Sequence, residues 1–480
     1  MPAPLAAVIV LAAGAGTRMK SRALPKVLHG FAGRSMLGHV LAAVVPLAPE
    51  QTVVVVGHRR DEVVAHLATI SAGAQAVVQA KQNGTGHAVR LALAAVAAER
   101  GGTVVVVPGD APLLTASALT ALVAEHESSG AAATLLTSVL EEPFGYGRVL
   151  RSTDGSVRRV VEQKDASCEE LAVTEVATSV YAFDHALLRE AITQLSTQNA
   201  QGEEYLPDVV EILARQGGRI AAVVVPADQT AGVNDRVQLA SAAKAYNARL
   251  IEGHMRAGVT VLDPASTWID AEVQVAADVT LAPAVYLHGT TCIDEGAQIG
   301  PDVSLTDTVV GARSRLTRTV AVGARIGADV TTGPFAYLRP GTTLADGVHI
   351  GTSVEIKNSD VGTGSKIPHL SYVGDASIGA HSNIGAATVF LNYDGVAKHR
   401  SIVGDHVKIG GDNMIVAPVE VGDGAYTAAG SVITQDVPPG AMGVARGSQR
   451  NVAGWVQRKR AGTPAADAAA RALAETDGEN

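Results

Sequence analysis

The chain of 480 residues is longer than one hydrophobic core normally holds, and its content of 47% hydrophobic but only 3% aromatic residues predicts folded domains with aliphatic cores. A net charge of −9 disfavours binding to nucleic acid and to anionic membranes. Two cysteines, Cys168 and Cys292, exclude a disulfide scaffold and lack the spacing of a metal site, so a reducing, cytoplasmic location is expected.

The first half of the chain alternates short β-branched segments with helical ones. Strands are predicted at residues 8–13, 53–56 and 104–107, because these segments are apolar on both faces, as in a sheet covered by helices. Helices are predicted at residues 36–45 and 61–70. The alternation indicates an α/β, Rossmann-like domain with a mainly parallel sheet, whose ligands bind at the carboxyl ends of the strands.

A glycine-rich segment follows the first predicted strand directly. In Gly14-Ala15-Gly16-Thr17-Arg18, the glycines let backbone N–H groups turn toward a phosphate, and Arg18 adds a fork of donors. Lys26 supplies a second cation on the same side. The Gly-Lys-Ser/Thr ending of the ATPase phosphate loop is missing, so a phosphate site of another kind is predicted.

Two further polar turns follow later strands. Gln79, together with Gly84-Thr85-Gly86-His87-Ala88, offers amide edges and backbone groups to a planar base. Asp110, in Pro108-Gly109-Asp110-Ala111-Pro112, stands at the carboxyl end of a strand, where a carboxylate is well placed to hold Mg²⁺ beside phosphates. The sequence therefore predicts a nucleotide site with a magnesium ion at this edge of the sheet.

The second half of the chain has a different period. After a connecting helix predicted over residues 237–257, an aliphatic residue recurs at every sixth position, which is the period of neither a strand nor a helix. This repeat predicts an all-β, left-handed parallel β-helix in which each six-residue rung forms a flat strand and a corner. The phase of the repeat fails between Ile356 and Ile378 and again between Ile384 and Val403, and extruded loops are expected at both places.

These patterns divide the chain into four segments. The α/β domain is expected at residues 1–236, the connecting helix at 237–257 and the β-helix at 258–458. The alanine-rich, polar segment 459–480 is expected to be a disordered tail.

The motifs of both halves together resemble a known enzyme family. Five segments look like those of nucleotidyltransferases that make nucleoside-diphosphate sugars: Leu11-Ala12-Ala13-Gly14-x-Gly16-Thr17-Arg18-Met19, Pro25-Lys26-Val27-Leu28, Gly84-Thr85-Gly86, Gly109-Asp110 and Asn234-Asp235-Arg236. Joined to hexapeptide repeats, they resemble the bifunctional N-acetylglucosamine-1-phosphate uridylyltransferases and glucosamine-1-phosphate N-acetyltransferases. The resemblance covers nearly the whole chain.

The resemblance implies a bifunctional enzyme that makes UDP-N-acetylglucosamine, a precursor of peptidoglycan and the cell envelope. Glucosamine 1-phosphate is acetylated by acetyl-coenzyme A as co-substrate. The N-acetylglucosamine 1-phosphate so formed then attacks the α-phosphorus of UTP in line, and pyrophosphate leaves. Cations and positioning serve such a displacement more than a base does. The resemblance further implies a cytoplasmic homotrimer with acetyl-transfer sites between neighbouring β-helices, and no nucleic-acid or membrane partner.

The resemblance also assigns residues of the first half. It places Arg18 and Lys26 on the UTP phosphates, and it gives Mg²⁺ to Asp110 and Asn234. The other positions that it assigns to nucleotide or sugar are Leu11, Gly14, Gln79, Gly84, Thr85, Gly147 and Glu162.

Two positions depart from the family pattern. Ala177 stands where the family usually has an Asn that hydrogen-bonds the sugar, and Ser179 stands where it usually has Gly. The loss of one neutral hydrogen bond predicts weaker binding of the sugar phosphate, or tolerance of altered sugars.

In the β-helix, His369 is the expected general base, because acetyl transfer to an amine requires removal of a proton and a neutral imidazole suits that role near pH 7. The phosphate of glucosamine 1-phosphate is assigned to Arg339, Lys357 and Lys398, and its sugar to Tyr372 and Asn392. The resemblance adds contacts with substrate or coenzyme at Asn383, Asn392 and Tyr393. It places the acetyl-coenzyme A groove along Ala386, Gly411, Ala429 and Arg446.

Two other interpretations stay open on the sequence. A single-function sugar-1-phosphate nucleotidyltransferase with a regulatory β-helix explains the first half, but it leaves His369 and Asn392-Tyr393-Asp394-Gly395 without a role. A non-enzymatic scaffold with a degenerate nucleotide-binding domain gains slight support from Ala177 and is opposed by Arg18 and Asp110.

Overall fold

A computed structural model of the protein describes residues 5–97 and 101–477. The chain divides into two compact units, residues 1–329 and 330–480, which are called the first and the second unit below. The first unit holds the α/β domain, the connecting helix and the opening coils of the β-helix. The second holds later coils and two terminal helices.

The α/β domain is built on a mixed sheet with helices on both faces. Its strands are β1 (Leu5–Ala12), β2 (Gly30–Phe31), β3 (Arg34–Ser35), β4 (Gln51–Val56), β5 (Gln75–Val78), β6 (Thr103–Pro108), β7 (Ala133–Val139), β8 (Arg148–Arg151), β9 (Val157–Val161), β10 (Glu175–Asp184) and β11 (Ile220–Val224). Its α-helices, with the connecting helix last, are α1 (Met36–Val44), α2 (Arg60–Ile70), α3 (Thr85–Leu93), α4 (Ala116–Ser129), α5 (Cys168–Leu171), α6 (His185–Ala191), α7 (Asp208–Arg215) and α8 (Arg236–Arg256). Short 3₁₀ turns occupy Thr17–Met19, Lys26–Leu28, Val45–Leu47, Ile192–Gln194 and Ala227–Gln229.

The strand order of the main sheet is β11-β7-β10-β6-β1-β4-β5, with β8 and β9 attached beside β10. The predicted strands correspond to β1, β4 and β6, which are neighbours and parallel, and the predicted helices correspond to α1 and α2. Alternate residues of β1 pack into two hydrophobic cores on opposite faces of the sheet, with Ile9 in one core and Val8 in the other. The two-sided burial explains why this strand is apolar throughout, and it places the ends of β1 and β6 side by side.

The opening coils of the β-helix follow α8. Their strands are β12 (Thr260–Val261), β13 (Trp268–Ile269), β14 (Gln274–Val275), β15 (Thr280–Leu281), β16 (Val285–His288), β17 (Cys292–Ile293), β18 (Gln298–Ile299), β19 (Val303–Thr306), β20 (Val309–Val310), β21 (Arg315–Leu316), β22 (Thr319–Val322) and β23 (Arg325–Ile326). Every third strand stacks in parallel, as β12, β15, β18 and β21 do, so that each coil has three sides. Leu281, Leu287 and Ile293 are fully buried at six-residue intervals and confirm the predicted repeat.

The hairpin β2–β3 of the α/β domain contacts the first of these coils. Ala271 donates a backbone hydrogen bond to the Ala32 carbonyl at 3.0 Å, and Arg34 forms an ion pair with Glu272. The opening coils therefore belong to the same compact unit as the α/β domain, and the boundary between the units does not follow the predicted limit at residues 257 and 258. The predicted functional domain limits remain a prediction.

The same three-sided stacking recurs in the second unit. Its strands are β24 (Thr331–Thr332), β25 (Ala336–Leu338), β26 (Thr343–Leu344), β27 (His349–Thr352), β28 (Glu355–Lys357), β29 (Asp360–Val361), β30 (Lys366–His369), β31 (Tyr372–Gly374), β32 (Ala376–Ile378), β33 (Asn383–Ile384), β34 (Val389–Leu391), β35 (Ser401–Val403), β36 (Lys408–Ile409), β37 (Met414–Val416), β38 (Glu420–Val421), β39 (Tyr426–Thr427), β40 (Val432–Ile433) and β41 (Met442–Gly443). These parallel sheets and the repeat confirm the predicted left-handed parallel β-helix.

The prediction of an extruded loop between Ile356 and Ile378 is wrong. The chain continues through β29, β30 and β31 with Val361, Ile367 and Val373 buried inside the coil. Glu355 pairs with Tyr372, one residue short of three full six-residue rungs. A shortened side therefore shifts the phase without extruding a loop.

The second predicted loop, between Ile384 and Val403, is confirmed. Strand β34 ends at Leu391, the chain leaves the coil over residues 392–400, and β35 resumes at Ser401. Tyr393 and Lys398 form an isolated antiparallel bridge within this segment, which is called the excursion below.

The C-terminal segment differs from the expectation of a disordered tail at 459–480. It forms the helices α9 (Trp455–Lys459) and α10 (Pro464–Asp477), while residues 478–480 lie outside the described part of the chain. The reason is the alanine content of α10, because alanine has the highest intrinsic helix propensity. Over residues 5–97 and 101–477, no helix is both long and apolar enough to cross a bilayer.

Candidate active sites

Two adjoining cavities open at the carboxyl ends of β1 and β6 in the first unit. The Gly-loop cavity, of about 440 Å³, is lined by Leu11, Gly14, Arg18, Lys26, Gln79, Gly84, Thr85, Asp110 and Asn234, among others. The Glu162 cavity, of about 390 Å³, is lined by Gly147, Glu162 and Ala177, among others. Arg18, Pro108, Asp110, Ser179 and Asn234 line both. Every residue that the sequence assigns to the first site therefore lines at least one of the two cavities.

The charged groups converge at the junction of the two cavities. The Lys26 ammonium donates to the Asp110 carboxylate, and it donates to the Asn234 side-chain oxygen at 2.9 Å. Arg18 donates to the same Asn234 oxygen at 2.8 Å. Backbone hydrogen bonds from Gly109 to Leu11 and from Val233 to Asp110, both 2.9 Å, hold these segments together. Two cations and two oxygen ligands thus meet where the cavities join.

Gly16 fixes the path of the phosphate loop against Lys26. Its φ is +60°, and a Cβ at this position would lie 2.4 Å from the Lys26 Cβ. Glycine adopts this conformation without strain, and only glycine lets the Lys26 side chain pass so close. Gly14 has open space where a Cβ would be, so backbone groups there stay accessible to a ligand.

The residues that the sequence assigns to a base lie between the end of β5 and the start of α3. The Gln79 side chain is 4% exposed and donates to the Gly84 carbonyl at 3.0 Å, which ties strand and turn together. Gly84 has a φ of +104°, and its Cβ would lie 2.4 Å from the Glu204 carbonyl oxygen. Thr85 uses its hydroxyl as an acceptor for the Leu206 backbone at 3.0 Å. Sequence reasoning missed Gln82, which also lines this cavity and donates to the Ala13 carbonyl at 2.5 Å.

Glu162 is an acidic group of the Glu162 cavity, which Asp110 also lines. Burial raises the pKa of the Glu162 carboxyl, and the nearby charges of Asp208 and Asp165 raise it further. A Cβ on Gly147 would lie 3.5 Å from a Glu162 oxygen and 3.0 Å from Val160, so glycine keeps the space beside the carboxylate open. Ala177 is 7% exposed, lines the same cavity and offers no polar side-chain atom to a sugar.

The donor set at the junction fits Mg²⁺. The Asp110 carboxylate and the Asn234 amide oxygen are hard ligands, and both contact one ammonium group, so they lie close together. Among the residues that the structure describes, no cluster of three or more His, Cys, Asp or Glu forms a complete metal cage. Two protein ligands are what a magnesium ion needs when nucleotide phosphates supply others.

A second cluster lies wholly in the second unit, on the side that carries β28 and β31. The Lys357 and Lys398 side chains lie against each other, and this contact and the repulsion between the two charges lower the pKa of Lys398. Arg339 adds a third positive charge and forms an ion pair with Glu355 at 2.8 Å. The structure thus brings together the three cations that the sequence assigns to a sugar phosphate.

Asp375 organises this cluster, and sequence reasoning missed it. Its carboxylate accepts from Lys357 at 3.3 Å, from Asn358 at 2.6 Å and from Asn392. Burial alone would raise the pKa of Asp375, but these hydrogen bonds outweigh it and lower the pKa. The Val373-Gly374-Asp375 segment lies within the loop that was predicted between Ile356 and Ile378. The six-residue repeat therefore did not indicate that the Asp375 carboxylate is buried.

His369 lies at the end of β30 and is exposed. It lies on a line of corners in which backbone bonds connect successive coils: Ala387 donates to His369 at 3.1 Å, Asp412 to Ala386 at 2.7 Å, and Gly430 to Gly411 at 2.9 Å. Arg446 completes the line by donating to the Ala429 carbonyl at 3.0 Å. The positions assigned to the coenzyme therefore lie along one edge that also carries His369.

Asn383 and Tyr393 stand outside the hydrogen-bond network of Asp375. Asn383 pairs in register with Lys366 and Lys408 in the sheet of β30, and the Tyr393 hydroxyl donates to the Gly395 carbonyl at 2.7 Å. The excursion is held by Asp394, whose pKa is strongly lowered by hydrogen bonds from the Ala397 backbone, the His399 ring and the Val396 backbone.

We expect Gly374→Ala to reduce acetyl transfer by at least about tenfold. A Cβ there would lie 2.4 Å from the Tyr372 hydroxyl and 2.7 Å from the Asn392 amide nitrogen, so both proposed sugar contacts must move, and small misplacements of binding groups cost large factors in rate. Gly447→Ala is the matched control, because nothing lies within 4 Å of its Cβ position. The rate of thiol release is measured for both glycine variants. Equal rates in the two variants would show that the positions of Tyr372 and Asn392 are unimportant for acetyl transfer.

Comparisons with known proteins agree with this division. A MobA-like NTP transferase domain matches residues 8–206, and bacterial transferase hexapeptide repeats match residues 323–358 and 400–435. The fold and the two clusters define the class: a nucleotidyltransferase joined to a hexapeptide-repeat transferase.

Relatives match over nearly the whole chain. The bifunctional protein GlmU of Streptomyces coelicolor is 54% identical over 477 residues, which cover 99% of each chain. That of Thermobifida fusca is 56% identical, covering 98% of each, and that of Nocardia farcinica is 53% identical, covering 98% of this chain and 96% of its own. The chain belongs to the family of the bifunctional protein GlmU. The predicted family is thereby confirmed, as is the predicted bifunctional uridylyltransferase and acetyltransferase function.

Proposed function

We propose that the two clusters divide the two reactions between them, with uridylyl transfer at the junction of the cavities in the first unit and acetyl transfer at the His369 edge of the second. The observation that carries this proposal is that each set of assigned residues is assembled inside one compact unit, with no residue borrowed from the other set. The substrates are UTP with N-acetylglucosamine 1-phosphate, and acetyl-coenzyme A with glucosamine 1-phosphate.

At the first site, Arg18, Lys26 and the backbone of the glycine loop hold the UTP phosphates. Gln79, Gly84 and Thr85 form the wall for uracil, and Gly147 with Glu162 form the wall for the sugar. Asp110 and Asn234 would hold Mg²⁺, which when bound supplies positive charge to the transferring phosphate. The oxygen of the sugar phosphate attacks the α-phosphorus, the bond to the β-phosphate oxygen breaks, and pyrophosphate leaves opposite the attacking oxygen.

At the second site, the three cations and Asn392 hold glucosamine 1-phosphate, and acetyl-coenzyme A lies along the edge from His369 to Arg446. The His369 imidazole takes a proton from the ammonium of the sugar. The free amine attacks the thioester carbonyl, a C–N bond forms and the C–S bond breaks, and the coenzyme thiolate leaves and takes up a proton. We also propose a cytoplasmic homotrimer, which light scattering on the purified chain would test.

The decisive experiment uses the purified full chain in two separate assays. Acetyl-coenzyme A with glucosamine 1-phosphate should release a free thiol. UTP with N-acetylglucosamine 1-phosphate should release pyrophosphate when Mg²⁺ is added and not when it is chelated. Pyrophosphate release without thiol release would support a single-function nucleotidyltransferase with a regulatory β-helix, and neither product would support a scaffold.

We expect Ala177→Asn to lower the KM for N-acetylglucosamine 1-phosphate by up to about tenfold, because one neutral hydrogen bond contributes about 1 kcal/mol. Ala177 is buried against the Glu162 cavity, so the added amide faces the proposed sugar. Pyrophosphate-release kinetics measure the change, with the KM for UTP as the internal control. An unchanged sugar KM would remove the idea that Ala177 weakens this site.

A further inference from the structure

Ser179 has an unusual backbone conformation. It lies in β10 with a φ of +61°, in the left-handed region that is strained for a residue with a Cβ. The pairing of β10 with β7 shifts register between Ala177 and Val180, so this strand bulges at Ser179. Bulges commonly re-aim a side chain beside an active site, and strained residues persist where the surrounding structure holds them for a function.

The bulge turns Ser179 toward the reacting groups. Its two neighbours, Thr178 and Val180, are buried, whereas Ser179 is exposed and lines both cavities. The Thr178 hydroxyl is committed to the Leu136 carbonyl at 2.7 Å. Within the described residues, no protein group forms a hydrogen bond with the Ser179 hydroxyl, which leaves it available to a ligand.

We propose that Ser179 is a substrate-binding residue of the uridylyl-transfer site, and that its hydroxyl donates a hydrogen bond to the phosphate of the bound sugar 1-phosphate. This inference rests on the proposed function of the first site. The residues that line both cavities include Arg18, Asp110 and Asn234, so the junction is where the sugar phosphate must meet the α-phosphate of the nucleotide. Phosphate oxygens are strong acceptors, and a neutral hydroxyl adds a donor there without another charge.

The alternative is that the fold merely tolerates a serine at position 179 and makes no use of its hydroxyl. Glycine would adopt the same backbone without strain, so a serine here adds only its Cβ and its hydroxyl. Ala177, on the same strand, offers no donor of its own to the Glu162 cavity. If the hydroxyl is used, removing it must weaken binding of the sugar phosphate even when the backbone strain is removed at the same time.

The test compares Ser179→Ala, which keeps the strain and removes the hydroxyl, with Ser179→Gly, which removes both. Ala48→Gly is the matched control, because Ala48 has a φ of +47°, is exposed and lines neither cavity. We expect both Ser179 variants to raise the KM for N-acetylglucosamine 1-phosphate about three- to tenfold, with the KM for UTP and thiol release unchanged. Ala48→Gly should leave all of these constants at the wild-type value.

Calorimetric titration with N-acetylglucosamine 1-phosphate should show the same loss of affinity without turnover. A wild-type sugar KM in Ser179→Ala would overturn the proposal, and so would a change confined to Ser179→Gly, which would indicate a backbone effect. Absence of pyrophosphate release from the wild-type chain would instead contradict the proposed function, so the two failures are distinguishable.

Discussion

Replacing His369 by alanine should reduce thiol release from acetyl-coenzyme A by about 10²- to 10⁴-fold and leave pyrophosphate release unchanged, since these are the usual factors for loss of a general base. The imidazole is exposed on the line of corners that ends at Arg446, beside the coils that carry the cation cluster. The thiol-release assay measures the loss.

His381→Ala is the matched control for that experiment. His381 is exposed in the same unit, and its ring stacks on His406 at a centroid distance of 5.2 Å. Both activities should survive this change. Loss of pyrophosphate release in His369→Ala, with the protein still folded, would contradict the assignment of the two reactions to separate clusters.

Replacing Asp110 by alanine should have the opposite effect, with pyrophosphate release reduced by at least about 100-fold and thiol release retained. The change removes one proposed magnesium ligand and the carboxylate partner of Lys26, and loss of one preorganised electrostatic group at a reacting centre typically costs 10²- to 10³-fold in rate. Residual activity should also require more Mg²⁺, which a titration of rate against the metal concentration measures.

Asp61→Ala serves as the control for Asp110. The Asp61 carboxylate is 96% exposed in the first turn of α2 and lines neither of the two cavities. Its removal should change neither rate. A full-rate Asp110→Ala enzyme with an unaltered magnesium requirement would contradict the proposed ligand set.

The central parallel strands β1, β4 and β6 of the α/β domain could be predicted because they carry a strong local signal. Residues such as Val8 and Ile9 are buried on opposite faces of one strand, and that burial is visible as an unbroken apolar segment. Several residues that line the cavities at its edge, such as Arg18 and Asp110, were also predictable, since chemistry restricts which residues follow such strands. The left-handed φ of Ser179 was not, because it arises from a register shift against β7 that no local pattern encodes.

In the β-helix, the sequence repeat predicts the regular coils but not the irregular positions within them. Its inward residues identify the coils, but a side shortened by one residue near Val361 looks in the sequence like an extruded loop. Asp375 was missed because it lies in the segment that was predicted to be a loop. Its partners Asn358 and Asn392 come from neighbouring coils, so no local pattern indicates the cluster. The helix α10 was missed because its polar composition outweighed its alanine content in the sequence argument.

The internal bonding of the excursion affects how the second site meets its ligand. Asp394 fixes the turn through the Val396 and Ala397 backbone and the His399 ring, on either side of Lys398. The backbone that carries Lys398 is therefore held in place before any substrate arrives, and only the side chain has to be ordered when an anion binds beside it.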